Sequence, residues 1–379
     1  GFWIPSLSIS DLTGIEAFVH LNDLNCAFNP ITSLNVTTLP ELVNISAINN
    51  SISSIDLSSN TLLQELNLEG NQLTAIDVSN NTALVHLNVG NNQLTALDVT
   101  NNPALDGLTA YTNQISTLDL SGNPLLTFLI VGNNLLTSLN LANNPLLTGV
   151  FCDQNQITSL DLSSLANLTA LDCRTSPISS LNVKNGNNTN LATFEAGNNP
   201  NLFCIEVDDA TFMNTNFSAG KDVGATYSTD CACTVNIPDA NFKNALLANT
   251  TINNNDDGEI QCYEATNYTG TIDVQNLGIT DLTGIQAFTH INNLNVGHNS
   301  LTSIDVSANT QITILSVEFN QLTTLDISNN ASLGTLYARE NLLTSINTTG
   351  ATSLSYFECP FNQITSLDLS SNSSLTTLL

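Results

Sequence analysis

The chain has 379 residues, of which 33 are acidic and 5 are Lys or Arg, and its formal net charge is −28. Nucleic acids and anionic membranes bind clustered Lys and Arg, so this charge argues against both partners. No apolar run approaches the roughly 18 residues of a membrane span, and direct membrane insertion is not expected. Residues 1–4 lack the basic start and cleavage site of a signal peptide, and we expect the sequence to be a mature or excised piece.

A leucine-rich unit of 21 residues, with the pattern LxxLxLxxNxL, repeats along the first half of the chain. Its leading position recurs at Leu21, Leu42, Leu63, Leu84, Leu105, Leu126, Leu147 and Leu168. A fixed period of roughly 20 to 29 residues with this spacing is typical of a leucine-rich-repeat solenoid. We therefore predict a β-rich solenoid of 21-residue coils with parallel strands on both long sides.

Several repeated positions are predicted to be structural. Inward asparagines are expected to satisfy backbone groups at a bend, as at Asn71, Asn92, Asn113 and Asn134. Four cysteines occupy an inward leucine position, where we expect small buried apolar side chains: Cys26, Cys152, Cys173 and Cys359. A polar column on one side is attributed to the scaffold, because a uniform ladder carries no information about a partner: Asp56, Asp77, Asp98, Asp119, Asn140, Asp161 and Asn182, then Asp305, Asp326, Asn347 and Asp368.

The repeats form two arrays, whose starts have nearly the same sequence at residues 10–20 and 280–290. We predict leucine-rich-repeat array one at 1–207, its C-terminal cap at 208–233, a helical N-terminal cap at 234–278 and array two at 279–379. The cap helix is expected to begin at Asp239 as N-cap. Array two ends inside a predicted strand, so we expect it to be truncated.

Four cysteines lie outside the inward repeat positions and are predicted to form disulfides. The preferred pairs are Cys204 with Cys231 and Cys233 with Cys262, although four cysteines allow three connectivities. Disulfides persist outside a reducing cytoplasm, so these cysteines favour an extracellular protein.

The segment after the predicted cap helix fits a calcium loop with Gly258 at its sixth position. The predicted ligands are Asn253, Asn255, Asp257, the backbone carbonyl of Glu259, Gln261 through water, and bidentate Glu264. Asn253 replaces the usual Asp, which removes one charge and weakens binding. The alternative is a turn formed by the glycine and asparagines without metal. We predict a structural Ca²⁺ ion that raises the melting temperature.

The outward positions of the LxxLxLxx strands vary from coil to coil, and this face is predicted to bind a ligand. Array one places an exposed apolar patch there, with charged neighbours: Tyr111, Phe128, Ile130, Phe151, Asp153 and Arg174. Array two contributes Tyr337, Arg339 and Tyr356. Adjacent glycines are expected to leave room for a sugar ring or a peptide. Packing that only stiffens the sheet is the alternative. Arg174 and Arg339 are expected to pair with Asp153 and Glu318, one coil earlier.

The unit from Leu84 to Ala104, the cap beginning at Ile237, and Cys204 to Asp209 with Cys231 resemble secreted bacterial leucine-rich-repeat proteins. The resemblance is to internalin-like proteins of the Bacteroidetes type and covers nearly the whole chain. It implies the same solenoid fold and an adhesin or binding scaffold with diverse partners. Such proteins usually end in a sorting domain that this sequence lacks, which supports the expected truncation.

The sequence contains no nucleophile elbow, HExxH motif, phosphate loop or Cys and His metal cluster, so we expect no enzyme. The predicted function is a secreted or cell-surface scaffold that presents its variable strand face to a protein or glycan ligand. The alternative is a structural spacer or a filament component that stacks head to tail.

Overall fold

The structure is a computed structural model that describes all residues from Gly1 to Leu379. The chain divides into two compact units, Gly1–Asp230 and Cys231–Leu379. Each unit is a parallel-sheet β-solenoid with coils of roughly 21 residues, about 18 coils in the two units together, so the predicted fold class is confirmed. The division between the units lies inside the segment 208–233, which the sequence assigns to a cap of the first array.

The first unit contains one short helix, α1 (Ala210–Asn216), and fourteen strands. These strands are β1 (Phe2–Trp3), β2 (Asp23–Asn25), β3 (Asn44–Ser46), β4 (Glu65–Asn67), β5 (His86–Asn88), β6 (Gly107–Thr109), β7 (Phe128–Ile130), β8 (Gly149–Phe151), β9 (Ser159–Asp161), β10 (Ala170–Asp172), β11 (Ser180–Asn182), β12 (Thr193–Glu195), β13 (Cys204–Glu206) and β14 (Thr226–Ser228). Single-turn 3₁₀ helices occupy Ile15–Ala17 and Asn188–Asn190.

Ten of these strands form one parallel sheet in the order β1-β2-β3-β4-β5-β6-β7-β8-β10-β12. Strand positions one repeat apart are paired, as in Leu66 with Leu87 and Leu87 with Leu108. The central residue of each strand is buried and its neighbours face outward, because side chains alternate across a strand. This register stacks the outward residues of successive coils into columns on one face.

The opposite side of the first unit is a sheet only near its C-terminal end, where four strands lie in the order β14-β13-β11-β9. The earlier coils have no strand there. A side chain caps the turn in coils with and without this strand: Asp77 Oδ1 accepts a hydrogen bond from the Ser79 backbone N–H at 2.9 Å, and Asp161 Oδ1 accepts one from the Ser163 backbone N–H at 3.0 Å. The prediction of strands on both long sides therefore holds for a few coils only.

Two asparagine ladders satisfy the buried backbone of the coils. In the predicted ladder, Asn71 Nδ2 donates to the carbonyls of Leu68 and Ala47, and its Oδ1 accepts from Ile52 N–H. A second ladder was not predicted. Its members are fully buried and donate from Nδ2 to two carbonyls of the preceding coils: Asn60, Asn81, Asn102, Asn123 and Asn144. The signal for it was the Asn that stands three residues before five of the eight leading leucines.

The second unit begins with two short helices, α2 (Ala240–Leu247) and α3 (Cys262–Asn267). Asp239 caps α2, as predicted, by accepting hydrogen bonds from the backbone N–H groups of Asn241 and Phe242. The strands are β15 (Thr271–Asp273), β16 (Asn293–Asn295), β17 (Ile314–Ser316), β18 (Thr324–Asp326), β19 (Thr335–Tyr337), β20 (Ser345–Asn347), β21 (Tyr356–Glu358) and β22 (Thr377–Leu378), with a 3₁₀ turn at Ile285–Ala287. Six form the parallel sheet β15-β16-β17-β19-β21-β22, and β18 pairs with β20. None of the helices has the length and apolar character needed to cross a membrane.

The cysteines separate into the two predicted groups. Cys233 and Cys262 form a disulfide with a Cα to Cα distance of 5.4 Å, as predicted. Cys204 and Cys231 are also disulfide-bonded. The four cysteines in the inward repeat positions are free, and three are buried while Cys359 is half-buried. Burial raises the pKa of the Cys26 thiol to about 11, so this thiol stays protonated at neutral pH.

Candidate functional site

The outward face of the long sheet in the first unit brings together the four predicted apolar residues. Phe128 and Ile130 occupy both outward positions of β7, and Phe151 is the second outward residue of β8. Tyr111 follows β6 by two residues and therefore faces the same way. All four line one groove of about 520 Å³, together with Asp153 and Gln154. We call this groove the apolar groove.

The aromatic rings of the apolar groove pack on one another across strands and still reach the surface. The Phe128 and Phe151 ring centroids are 5.3 Å apart at an angle of 45°, and Phe128 is 40% exposed. A Cβ atom on Gly149 would lie 2.6 Å from the Phe128 ring, and one on Gly90 would lie 2.6 Å from the Tyr111 ring. The glycines thus make room for the protein's own rings. These rings fill the space beside Gly149 and Gly90 that was expected to admit a sugar ring or a peptide.

Charged side chains border the apolar groove. The Tyr111 hydroxyl donates a hydrogen bond to Glu69, which raises the pKa of Tyr111 to about 12. Asp153 lines the groove and lies over Gly132. Arg174 does not line the groove: its guanidinium binds Asp172 of its own coil at 2.7 Å, so the predicted pair with Asp153 is not formed. The border of the groove is therefore acidic.

A second, polar groove on the same sheet was not predicted. It has a volume of about 750 Å³, extends from Trp3 to Phe128, and is lined by outward residues of the first strands such as Asp23, Asn44, Glu65, His86 and Asn88. His86 Nδ1 lies 2.7 Å from a Glu65 carboxylate oxygen. Repeat alignment gives the outward direction of these residues, but their shared groove depends on the stacking of the seven strands β1 to β7.

The second unit places its three predicted ligand-binding residues on one face. The Tyr337 and Tyr356 ring centroids are 5.5 Å apart. Arg339 binds Glu318 at 3.0 Å, which is the predicted pair, and lies 3.8 Å from Glu358. Tyr337, Arg339 and Glu358 line a groove of about 520 Å³.

An aromatic stack beside this groove was missed. The Arg339 guanidinium lies 4.8 Å from the centroid of Phe319, whose ring stacks on His298 at 4.2 Å. Phe319 has a φ of 53°, in the left-handed region that bulky residues rarely adopt. The equivalent residue in most coils of the first unit is Asn, Gly, Thr or Gln, and the sequence signal was therefore the replacement of a small or polar residue by Phe.

The predicted calcium loop follows α2 and leads into α3. Asn253 and Glu264 are 4% and 3% exposed. Glu264 carboxylate oxygens accept hydrogen bonds from the Asn254 and Gln261 backbone N–H groups, each at 3.0 Å. The Glu259 carboxylate forms an ion pair with Lys243 Nζ at 2.7 Å. Burial raises the pKa of Glu264 above its usual value.

No group of three or more His, Cys, Asp or Glu side chains converges as a metal-binding set anywhere in the chain. Four of the six predicted ligands in the loop from Asn253 to Glu264 contribute an amide oxygen or a backbone carbonyl, so this loop has fewer than three such side chains among its predicted ligands. The histidines are dispersed: His20 binds Glu41 at 2.9 Å, and His290 Nδ1 lies 2.7 Å from the Thr266 carbonyl oxygen.

Neither a family model nor a curated protein matches the sequence. Among solved structures, the functional domain of InlJ from Listeria monocytogenes, described as including a cysteine ladder, is 25% identical. The match covers 98% of this chain and 69% of that chain, with a TM-score of 0.52. Cys152 and Cys173 stand at equivalent inward positions of neighbouring coils here, and each is free.

Two further matches have lower scores. An internalin, InlF, from Listeria monocytogenes is 19% identical over 94% of this chain and 86% of that chain, with a TM-score of 0.41. A leucine-rich-repeat protein of Leptospira interrogans is 15% identical over 97% of this chain and 86% of that chain, with a TM-score of 0.44.

Proposed function

We propose that this chain, whose fold is similar to that of the functional domain of InlJ, is a non-enzymatic extracellular scaffold that binds another protein through the apolar groove. The observation that supports this proposal best is the exposed ring of Phe128 beside Phe151 and Ile130. Contiguous exposed apolar side chains on a monomer usually mark an interaction surface. Large aromatic residues in a central pocket also contribute most of the binding energy at protein interfaces.

The border of the groove suggests the chemistry of the partner. Asp153 and Glu69 lie beside the apolar side chains, and the whole chain has a net charge of −28. A partner that inserts an apolar side chain and surrounds it with Lys or Arg fits this arrangement, since complementary charge speeds association and excludes acidic competitors. The extracellular location is supported by the disulfide between Cys233 and Cys262.

A quantitative capture experiment tests the proposal. The full chain and a Phe128→Ala/Phe151→Ala variant are immobilised, and proteins retained from an extracellular fraction are counted by mass spectrometry. We expect at least one protein to lose about tenfold or more of its binding to the variant, because truncating a central aromatic residue typically costs 2 kcal/mol or more. Captured proteins that bind both forms equally contradict the use of this groove.

The matched control is Leu146→Ala. Leu146 is 41% exposed, close to the 40% of Phe128, but it does not line the groove. Binding is expected to persist in this variant. Two further outcomes favour the alternatives: retention of glycans alone indicates a glycan receptor, and concentration-dependent polymers in sedimentation, with no captured protein, indicate a structural component.

A further inference from the structure

The loop between α2 and α3 contains several oxygen atoms that take no part in the apolar groove. Gly258, with a φ of 82°, turns the chain at its centre, while α2 precedes the loop and α3 follows it. Its side chains supply amide, carboxylate and hydroxyl oxygens and no sulfur or imidazole. Such a donor set suits a hard cation such as calcium rather than zinc or copper.

The side chain of Asn253 is the observation that points to a ligand. Asn253 is 4% exposed, and its Oδ1 has no hydrogen-bond partner. Its Nδ2 donates to the carbonyl of Leu247 in α2 at 3.4 Å. A buried oxygen without a partner costs free energy that a bound cation would recover. Asn253 lies outside the repeated asparagine ladders, so the solenoid packing does not account for it.

Other oxygens of the loop converge on a single donor. Asn255 Nδ2 lies 3.0 Å from Asp257 Oδ2, 3.1 Å from Gln261 Oε1 and 3.2 Å from the Tyr263 hydroxyl. An amide nitrogen carries only two hydrogens, so it cannot satisfy three acceptors at once. These three oxygen atoms are therefore crowded at one point of the loop, where Asp257 Oδ2 also accepts a hydrogen bond from Gln261 Nε2.

Glu264 closes the loop from the other side. Its carboxylate accepts hydrogen bonds from the backbone N–H groups of Gln261, Asn254 and Asn255, and an ionised carboxylate can accept about four. None of the ion pairs in the chain involves Glu264, although it is almost completely buried. A divalent cation would supply the positive charge that this buried carboxylate lacks.

We propose that the loop from Asn253 to Glu264 binds one calcium ion. The ligands are the side-chain oxygens of Asn253, Asn255, Asp257 and Glu264 and the backbone carbonyl of Glu259, with Gln261 acting through a water molecule. Only two of these groups are carboxylates, and calcium affinity rises with the number of charged ligands. The expected dissociation constant is on the order of 10⁻⁴ to 10⁻³ M, the range of extracellular calcium modules.

Calorimetric titration of the full chain with calcium chloride, after removal of metal by chelator, tests the proposal. We expect one calcium ion per chain and a higher melting temperature, whereas magnesium chloride at the same concentration gives a smaller shift, because magnesium demands a stricter geometry. The Asn253→Asp variant restores the usual first ligand and is expected to lower the dissociation constant about tenfold. Asp257→Asn removes one of the two charges and is expected to raise it by about tenfold.

Two results would overturn the proposal. One is the absence of binding up to about 10 mM calcium in both the natural chain and Asn253→Asp, well above the range of extracellular modules. The other is binding whose affinity does not change in Asn253→Asp or Asp257→Asn, which would place the ion elsewhere. Glu264 also caps α3, so its variants are judged only by circular dichroism, and the two variants above carry the test. Phe128→Ala/Phe151→Ala should bind calcium unchanged, which separates this proposal from that of the apolar groove.

Discussion

The start of the first array and the start of the second have almost the same sequence and the same backbone, but their burial differs. Gly14 and Gly284 have φ values of 101° and 105°. The Thr13 and Thr283 backbone N–H groups each donate a hydrogen bond at 2.8 Å to the carboxylate of the aspartate two residues earlier. A 3₁₀ turn follows in both cases, at Ile15–Ala17 and Ile285–Ala287. The local sequence is therefore enough to specify this turn twice.

The side chains that follow the turn behave differently. Phe288 is fully buried, and its ring centroid lies 6.4 Å from that of Tyr268. The equivalent Phe18 is 52% exposed, and its ring centroid lies 5.6 Å from that of Phe2. In the second unit the cap residues Ile237 and Phe242 belong to the same apolar core as Phe288. The comparison shows that the burial of this phenylalanine depends on side chains from outside the repeat motif, and not on the local sequence.

The largest expected effect comes from truncating the two phenylalanines. Phe288→Ala leaves a cavity in a closed core, and we expect it to lower the free energy of unfolding by about 3–5 kcal/mol. Phe18→Ala removes a ring that is already half in water, and we expect a loss below about 1 kcal/mol. Urea unfolding, with hydrogen exchange to assign the loss to a unit, measures both. Equal losses would mean that the cap contributes little to the burial of Phe288.

The next largest expected effect separates the free-energy cost of backbone strain from that of a side-chain clash. Ala at position 14 or 284 has to adopt a positive φ, which costs about 1–2 kcal/mol. A Cβ on Gly284 would also lie 2.7 Å from Ile237 Cγ1 and 2.9 Å from the Asn236 carbonyl oxygen, while a Cβ on Gly14 has nothing within 4 Å. We therefore expect Gly284→Ala to destabilise the protein by at least about 1 kcal/mol more than Gly14→Ala.

Gly186→Ala provides a matched control for that pair. Gly186 has a φ of 79° and open space around its Cβ position, so its substitution isolates the backbone term. Thermal unfolding of the three variants should show Gly14→Ala and Gly186→Ala close together. A loss for Gly14→Ala as large as that for Gly284→Ala would rule out the contact with the cap as the cause.

The smallest expected effect concerns a feature that both units share. Hydrogen bonds from the Ser79 side chain and backbone lower the pKa of Asp77, and those from Ser328 do the same for Asp326. A carboxyl group whose pKa is lower in the folded state stabilises the protein fully above the unfolded value of 3.8. That contribution is lost as the pH falls through the folded pKa. We expect Asp77→Asn and Asp326→Asn to make stability less dependent on pH below about 4.

The pH dependence of stability is compared between these two substitutions. Asn already occupies the equivalent position at Asn140, Asn182 and Asn347, so the amide keeps the turn while it removes the titration. Stability followed from pH 7 to pH 2 should respond alike in the two units. A response in only one unit would show that the surroundings, and not the local turn, set the pKa of these aspartates.

Much of the fold followed from the sequence because the repeat acts at short range. The 21-residue period puts Leu66, Leu87 and Leu108 inward and their neighbours outward, and the cap of α2 at Asp239 needs only residues two and three positions away. The predicted disulfide between Cys233 and Cys262 and the side-by-side position of Phe128 and Phe151 also match the structure.

Other features depend on distances between coils that no repeat pattern contains. Arg174 binds Asp172, which lies two residues earlier in the same coil, and not Asp153, which occupies the equivalent position one coil earlier. Strands on the second side of the coils form only where neighbouring segments approach closely enough to pair their backbones. The space beside Gly149 and Gly90, which was expected to admit a sugar ring or a peptide, is filled by the rings of Phe128 and Tyr111.

The turns, the inward and outward faces and the order of the coils can be predicted from the amino-acid pattern, since each depends on contacts within one repeat or between equivalent residues. The assembled coils specify which outward residues share a groove, which carboxylate an arginine binds, and whether a phenylalanine such as Phe288 or Phe18 is covered. Burial is a sum over neighbours from distant parts of the chain, and a motif of eleven residues specifies none of them.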